Sequence, residues 1–262
     1  MLTVKEVSFA YKGHGNGSQV SALKRVTFDI ADGSFVILTG RTGSGKSTLL
    51  QLLCGLIEPD GGEIHCEDGD LFSKSSMIFQ YPEDCFFNPT VMEELEFGLK
   101  TAGKKGSEKL KAIIEVIGFD LEKFSSRTPF SLSGGEQRLL AIASMVVLDK
   151  AILLLDEPTS GLDDRAVQRV RNLLLSEYRL GKTVVVSTHW PAEFLDMATH
   201  VMNLREGSLE YFVTVEDYVD SNLHNRQLEE KEKYLIDYYK RFKAFPENDE
   251  ELIEFVRREK KC

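Results

Sequence analysis

Residues Ser34–Leu56 read SFVILTGRTGSGKSTLLQLLCGL: an apolar run, a glycine-rich turn, then apolar residues at helical spacing. Ser34 to Thr39 shows no polar alternation, which predicts a strand buried on both faces, and Ser47 to Leu56 predicts the helix that follows. Between them, Gly40-Arg41-Thr42-Gly43-Ser44-Gly45-Lys46-Ser47 fits the phosphate-loop pattern G-x-x-x-x-G-K-[ST]. Glycines let such a loop wrap so that successive amides aim at phosphate oxygens, and the helix N-terminus adds positive potential. Lys46 is placed to reach the β and γ phosphates of a nucleotide, and the Ser47 hydroxyl to ligate Mg²⁺.

The second half of such a site comes later in the chain. Ile152–Pro158 (ILLLDEP) predicts an apolar strand ending in two carboxylates at the C-terminal edge of a parallel sheet, where open α/β sheets bind ligands. Asp156 would hold Mg²⁺ through its water shell and Glu157 would polarise an attacking water. Thr183–Ser187 (TVVVS) reads as a further buried strand, with a crossover helix over Arg165–Tyr178. Ahead of the phosphate loop, Val4, Val7 and Phe9, then Val26, Phe28 and Ile30, read as strands joined by the loop GHGNGS, residues Gly13–Ser18. Val91 to Leu99, Glu108 to Ile117 and Glu136 to Val147 place apolar residues three and four apart, which predicts a helical subdomain over about residues 82–147. The fold class is therefore α/β.

Composition narrows the partners. In 262 residues, 32 basic and 42 acidic side chains leave a net charge of −10, which opposes nonspecific binding to nucleic acid. Cys54, Cys66, Cys85 and Cys262 form no C-x-x-C pair, so neither a disulfide framework nor a thiolate zinc site is expected. No stretch approaches the ~20 apolar residues that cross a bilayer, and the opening MLTVKEVSFAY lacks the apolar core of a signal peptide, so a membrane role is expected to be peripheral.

Leu132-Ser133-Gly134-Gly135-Glu136-Gln137-Arg138, lying between the two halves of the phosphate site, resembles the signature motif of ATP-binding cassette (ABC) ATPases. The resemblance covers roughly Leu2 to Tyr211. It implies a phosphate-loop NTPase fold of the ABC type, with an N-terminal antiparallel β subdomain and a helical signature subdomain, and it implies ATP hydrolysis with ATP and Mg²⁺. The expected nucleotide contacts are Gly40, Arg41, Thr42, Gly43, Ser44, Gly45, Lys46, Ser47 and Thr48, with Tyr11 stacking on adenine. Gln80 corresponds to the glutamine that meets Mg²⁺ and the attacking water, and His189 to the switch histidine at the γ-phosphate. Ser47, Gln80 and Asp156 make up the implied metal set, while Glu157, His189, Lys46 and Gln80 make up the implied catalytic set. In the family, Ser133, Gly134, Gly135 and Glu136 of one subunit cap the nucleotide of its neighbour, and Ser160, Gly161, Leu162 and Asp163 correspond to the loop that crosses the interface. A head-to-tail dimer follows, either a homodimer or a heterodimer with a paralogous ATPase. Trp190 stands where an acidic residue commonly follows the histidine.

Phe79 to Val91 (FQYPEDCFFNPTV) is similar to the segment after the glutamine in energy-coupling factor transporter ATPases, the vitamin and cobalt uptake group, with Cys85 where those usually carry Gln. This likeness implies that Glu83 and Asp84 receive arginine-bearing cytoplasmic helices of a transmembrane coupling subunit, with a substrate-binding membrane subunit engaged indirectly and no nucleic acid. Other transporter classes, and ABC ATPases acting on DNA or ribosomes, are the alternatives. Residues 213–262 read as a helical extension to the 1–212 ATPase domain. Leu235, Tyr238, Tyr239 and Phe242, then Leu252, Ile253 and Val256, mark two amphipathic helices split at Pro246. Stripes this short are expected to need a partner subunit for burial.

Overall fold

The computed structural model describes residues 1–12, 19–67, 69–81, 86–102, 104–222, 225, 228–246 and 249–259, with the side chains of 101–107 also outside the description. Two sheets organise the chain. In the first, β1 (Leu2–Lys12) pairs antiparallel with β2 (Gln19–Ile30), from Leu2 opposite Ile30 to Lys12 opposite Gln19. Val4 and Val7 are an odd number apart, yet both are buried. Alternation would send them to opposite faces, and an irregularity in the register between them, with Glu6 at φ 52°, turns both inward.

The second sheet is built from β3 (Phe35–Thr39), followed by α1 (Lys46–Leu53), and from later strands. β4 (Gly61–Cys66) returns to β1 in the first sheet. The one-turn α2 (Leu71–Lys74) leads into β5 (Ser75–Ile78). Then α3 (Val91–Ala102), α4 (Lys104–Ile117), the short α5 (Leu121–Phe124) and α6 (Gly134–Val146) form the helical subdomain. β6 (Ile152–Asp156), α7 (Asp164–Arg179) and β7 (Thr183–Ser187) complete a crossover. β8 (His200–Arg205) and β9 (Ser208–Thr214) close one edge, giving the order β5-β6-β7-β3-β8-β9. All neighbours run parallel except β8 and β9. The Glu206-Gly207 link between those two has φ 51° and 83°, the pair of positive values that a tight hairpin turn requires.

The central strands are buried on both faces, as their unbroken apolar runs demand. Phe35, Ile37, Leu153, Leu155, Val184 and Val186 face the helical subdomain and α7. Val36, Leu38, Leu154 and Val185 face α1 and the antiparallel sheet. The subdomain is also tied to the sheet by charge. The carboxylate of Glu177 on α7, 3% exposed, accepts from Lys109 of α4 and from Lys182, each at 2.8 Å, and Asp149 accepts from the same two lysines.

The C-terminal helices depart from expectation. α8 (Val215–Asn222), α9 (Glu230–Phe242) and α10 (Asp249–Glu259) bury Val219, Leu235, Ile236, Tyr238, Leu252 and Phe255 within the chain, in the same apolar cluster as the parallel sheet. The expectation that these stripes need a partner subunit for burial is thus corrected: three helices folded on one another and on the sheet suffice, and the buried Tyr218 donates to Glu232 at 2.6 Å across the joint. Phe242 and Ile253 remain about half exposed. The anticipated boundary at 212/213 falls inside β9, and α8 begins at Val215.

Candidate active site

The phosphate loop opens where β3 ends and closes as α1 begins. Gly45 caps α1 in the left-handed region, φ 103°, and a Cβ there would stand 2.5 Å from the carbonyl oxygen of Ala22 on β2. Only glycine fits so close to another backbone. The loop is braced from a distant part of the chain, since the Gly207 amide donates to the carbonyl of Ser44 at 3.1 Å while the Lys24 amide donates to the Gly207 carbonyl at 2.8 Å. Lys46 is buried and its ammonium donates to the Gly40 carbonyl at 2.8 Å. Burial pulls that ammonium down from the usual lysine range, and the charges of Glu157 and Asp156 hold it up.

β6 and β7 end side by side, with Asp156 opposite Ser187. The Ser187 hydroxyl donates to Asp156, and the Glu157 amide donates to the Ser187 carbonyl at 3.1 Å. Glu157 is buried and adopts φ 48°, a conformation uncommon outside glycine that persists only where neighbours fix it. Its Oε1 lies 3.3 Å from Nε2 of His189, within ion-pair distance but without hydrogen-bond geometry. Burial pushes the Glu157 carboxyl above the usual carboxylate range, against the pull of His189 and Lys46. A carboxyl poised in this way suits a general base.

These groups share one cleft of about 280 Å³. Tyr11, Thr42, Gly43, Gly45, Lys46, Ser47, Thr48, Gln80, Asp156, Glu157 and His189 line it, together with Val20, Ser21 and Ala22. Tyr11 is positioned by its hydroxyl, which shares a hydrogen bond with Thr48 at 3.2 Å and donates to Gln51 at 3.3 Å, leaving the ring about half exposed at the cleft. A larger cavity of about 710 Å³ lies between α4 and α7 and contains none of the motif residues. Gly40, Arg41 and Ser44 belong to the loop without lining the cleft, and Ser44 Oγ is buried without a hydrogen-bond partner among the described residues.

The signature residues stand apart from the cleft. Ser133 caps α6 in a reciprocal box, donating its hydroxyl to Glu136 at 2.7 Å, which holds the Glu136 carboxyl below its usual range. Gly134 and Gly135 form the first turn of α6 rather than a loop before it, and a Cβ on Gly135 would stand 3.7 Å from Leu162. Ser160 and Gly161 are exposed, and Asp163 caps α7 by accepting from the Ala166 amide at 2.8 Å. Glu83 and Asp84 lie outside the described residues. Sequence reasoning passed over Arg138, buried on α6, whose guanidinium donates to the Glu157 carbonyl at 3.1 Å. A charged residue in the apolar stripe beside Leu139 and Ile142 was the available signal. It also passed over Ser187, Thr159 and Glu193, ordinary residue types whose partners are distant in sequence.

The family model described as ABC transporter matches residues 23–160. The chain is 35% identical to the energy-coupling factor transporter ATP-binding protein EcfA2 of Clostridioides difficile (strain 630), covering 84% of this chain and 81% of that protein. It is 33% identical to EcfA3 of Oenococcus oeni (strain ATCC BAA-331 / PSU-1), covering 98% and 96%. Among solved structures, the dimeric ATP-binding cassette MJ0796 in a post-hydrolysis state with ADP and Pi superposes with a TM-score of 0.70 at 29% identity, covering 82% of this chain and 99% of that one. With a phosphate loop, paired carboxylates and a signature helix on one α/β scaffold, the chain belongs to the ATP-binding proteins of ABC transporters and is an ATPase whose hydrolysis is coupled to transport.

Proposed function

We propose that this chain is the ATP-hydrolysing subunit of an energy-coupling factor importer, peripheral on the cytoplasmic face of the cell membrane, driving uptake of a vitamin or a transition-metal ion. The observation that carries the reading is a site built from one side only: Lys46, Glu157 and His189 line the cleft, whereas Ser133 and its helix N-terminus do not. One nucleotide does not need two such N-termini from one chain. A second cassette packed head to tail, identical or paralogous, brings Ser133, Gly134, Gly135 and Glu136 over the cleft, with Ser160, Gly161, Leu162 and Asp163 at the seam. The dimeric state of the MJ0796 cassette supports this arrangement.

Within that enclosure water attacks the γ-phosphorus in line. Glu157 aligns the water, Lys46 and the neighbour's Ser133 stabilise developing charge, and His189 contacts the γ-phosphate. Tyr11 offers its ring to adenine, and Gly40 to Thr48 hold the phosphates. Mg²⁺ suits the donors present: the Ser47 hydroxyl, the Gln80 amide oxygen and the Asp156 carboxylate are hard oxygens on one cleft, and Mg²⁺ takes one or two carboxylates alongside substrate phosphates. Bound there, the ion would neutralise phosphate charge.

Gln80 relays the state of the nucleotide toward the acidic pair Glu83 and Asp84, which receives an arginine-bearing helix of a membrane subunit. The exposed aromatics Tyr81, Phe87 and Phe97, the last two in edge contact at 4.9 Å between ring centroids, supply apolar area for the same contact. The helical extension contacts the neighbouring cassette through Phe242 and Ile253. Among the described residues no helix is long and apolar enough to cross a membrane, which fits a subunit that works through membrane partners. Gentle solubilisation and co-purification test the proposal: capture of a multi-helix membrane subunit with arginine-bearing cytoplasmic segments is expected, and stable association with ribosomes or DNA in its place would overturn it.

A further inference from the structure

Glu157 and His189 sit on two separate loops, one leaving β6 and one leaving β7. On the sheet side the loops are joined through Ser187. Beyond the pair they are joined again. Thr159, 5% exposed, donates its hydroxyl to Oε2 of Glu193 at 2.6 Å. Glu193 closes the 3-10 turn Pro191–Glu193, which begins two residues after His189. Neither end of this bond is free to drift. The Leu162 amide donates to the Thr159 carbonyl at 3.1 Å, and Phe194 and Leu195, fully buried, anchor the other side. α9 packs against the 3-10 turn from outside.

From this geometry we infer that the Thr159–Glu193 hydrogen bond is a strap that sets the spacing of Glu157 and His189, which makes Glu193 and Thr159 positioning residues for ATP hydrolysis. The inference rests on the assignment of Glu157 and His189 to the chemistry. The His189 ring stands 3.3 Å from the Glu157 carboxylate without hydrogen-bond geometry, and the His189 backbone amide reaches that carboxylate at 3.3 Å, long for a hydrogen bond, so these contacts alone do not hold the loops at that separation. A short bond between a buried hydroxyl and a half-buried carboxyl one loop-length away does so. Burial raises the Glu193 carboxyl and Thr159 draws it back down, so the bond is made in a poorly solvated place where it is worth most.

The test uses the purified chain in its active assembly, as the homodimer or with its paralogous partner cassette, with ATP and Mg²⁺. Glu193→Leu and Thr159→Val remove the bond at similar volume, whereas Glu193→Gln and Thr159→Ser keep an acceptor and a hydroxyl. Expected is a fall in kcat of about tenfold or more for Leu and Val, with the ATP dissociation constant nearly unchanged and Tm lowered by a few degrees at most, the assay being run well below that Tm. Recovery of most of that loss by Gln and Ser is expected as well. A kcat within about twofold of the unmodified chain in both Leu and Val, or loss of ATP affinity in step with kcat, would overturn the strap. Glu157→Gln runs alongside. If it hydrolyses ATP at the unmodified rate, the assignment of the pair falls and the strap with it; if it is inactive while Glu193→Leu is normal, only the strap falls.

Discussion

The amide of His189 donates to Oε2 of Glu157 at 3.3 Å while its ring Nε2 stands 3.3 Å from Oε1, so one histidine faces both oxygens of one buried carboxylate. The carboxylate is thereby aimed by its neighbour, and Lys46 lies close enough for its charge to act on it.

Replacing Glu157 by Gln keeps the shape and removes the base. ATP binding should persist while turnover falls at least ~100-fold, read as phosphate release against nucleotide titration.

At Gly45 the obstacle is backbone. A methyl group would meet the Ala22 carbonyl at 2.5 Å on a residue held at φ 103°. Gly45→Ala should abolish measurable ATP binding and cost about 1–3 kcal/mol in denaturant unfolding.

Arg138 joins the signature helix to the catalytic loop by donating to the Glu157 carbonyl. Arg138→Met fills the space without the donor and leaves the Glu157 carbonyl with the Ser160 amide, at 3.2 Å, as its remaining partner among the described residues, so a stability loss of about 1–2 kcal/mol is expected. Turnover should fall further than ATP affinity, because the Glu157 backbone loses a support; equal kcat in the variant would count against that link.

Asp149 is held at about 2 by Lys109 and Lys182. A depressed folded value means the contribution is present above the unfolded value of ~3.9 and disappears as pH falls toward the folded one. Asp149→Asn should therefore be less stable than the unmodified chain at pH 7, by no more than about 1 kcal/mol for a half-exposed group, and the gap in urea midpoint should close on acidification below about pH 4.

Truncation after Val219 removes core residues such as Leu235 and Ile236 and should unfold the remainder rather than report on dimerisation. Ile253→Asp addresses the proposed contact without touching the core. It should weaken self-association or pairing with a paralogue by about tenfold or more in sedimentation, with Tm nearly unchanged.

What the sequence disclosed was carried by local pattern. The loop Gly40–Ser47 and the strand Ile152–Asp156 announce themselves because phosphate chemistry and double-sided burial each impose a short, contiguous signature. The β8–β9 edge did not, since its strands alternate weakly and their pairing rests on the Glu206-Gly207 turn. The extension misled because a stripe on one helix says that burial is needed, not which surface provides it; here α8, α9 and α10 provide it together. Arg138 showed only as a charge in an apolar stripe, and Ser187 and Glu193 were invisible, for a simpler reason. Each acts on a residue 19 to 34 positions away, and no local rule links them.

The Gly207–Ser44 contact has a bearing on biogenesis. A ribosome that has released the whole of Gly40–Ser47 has still not delivered the hairpin that shores it up, which is encoded more than 150 codons downstream. In a nascent chain of this protein the phosphate loop therefore gains this support only once residue 207 has emerged and the sheet has closed around it, so a firm grip on nucleotide is expected to follow the hairpin rather than the loop.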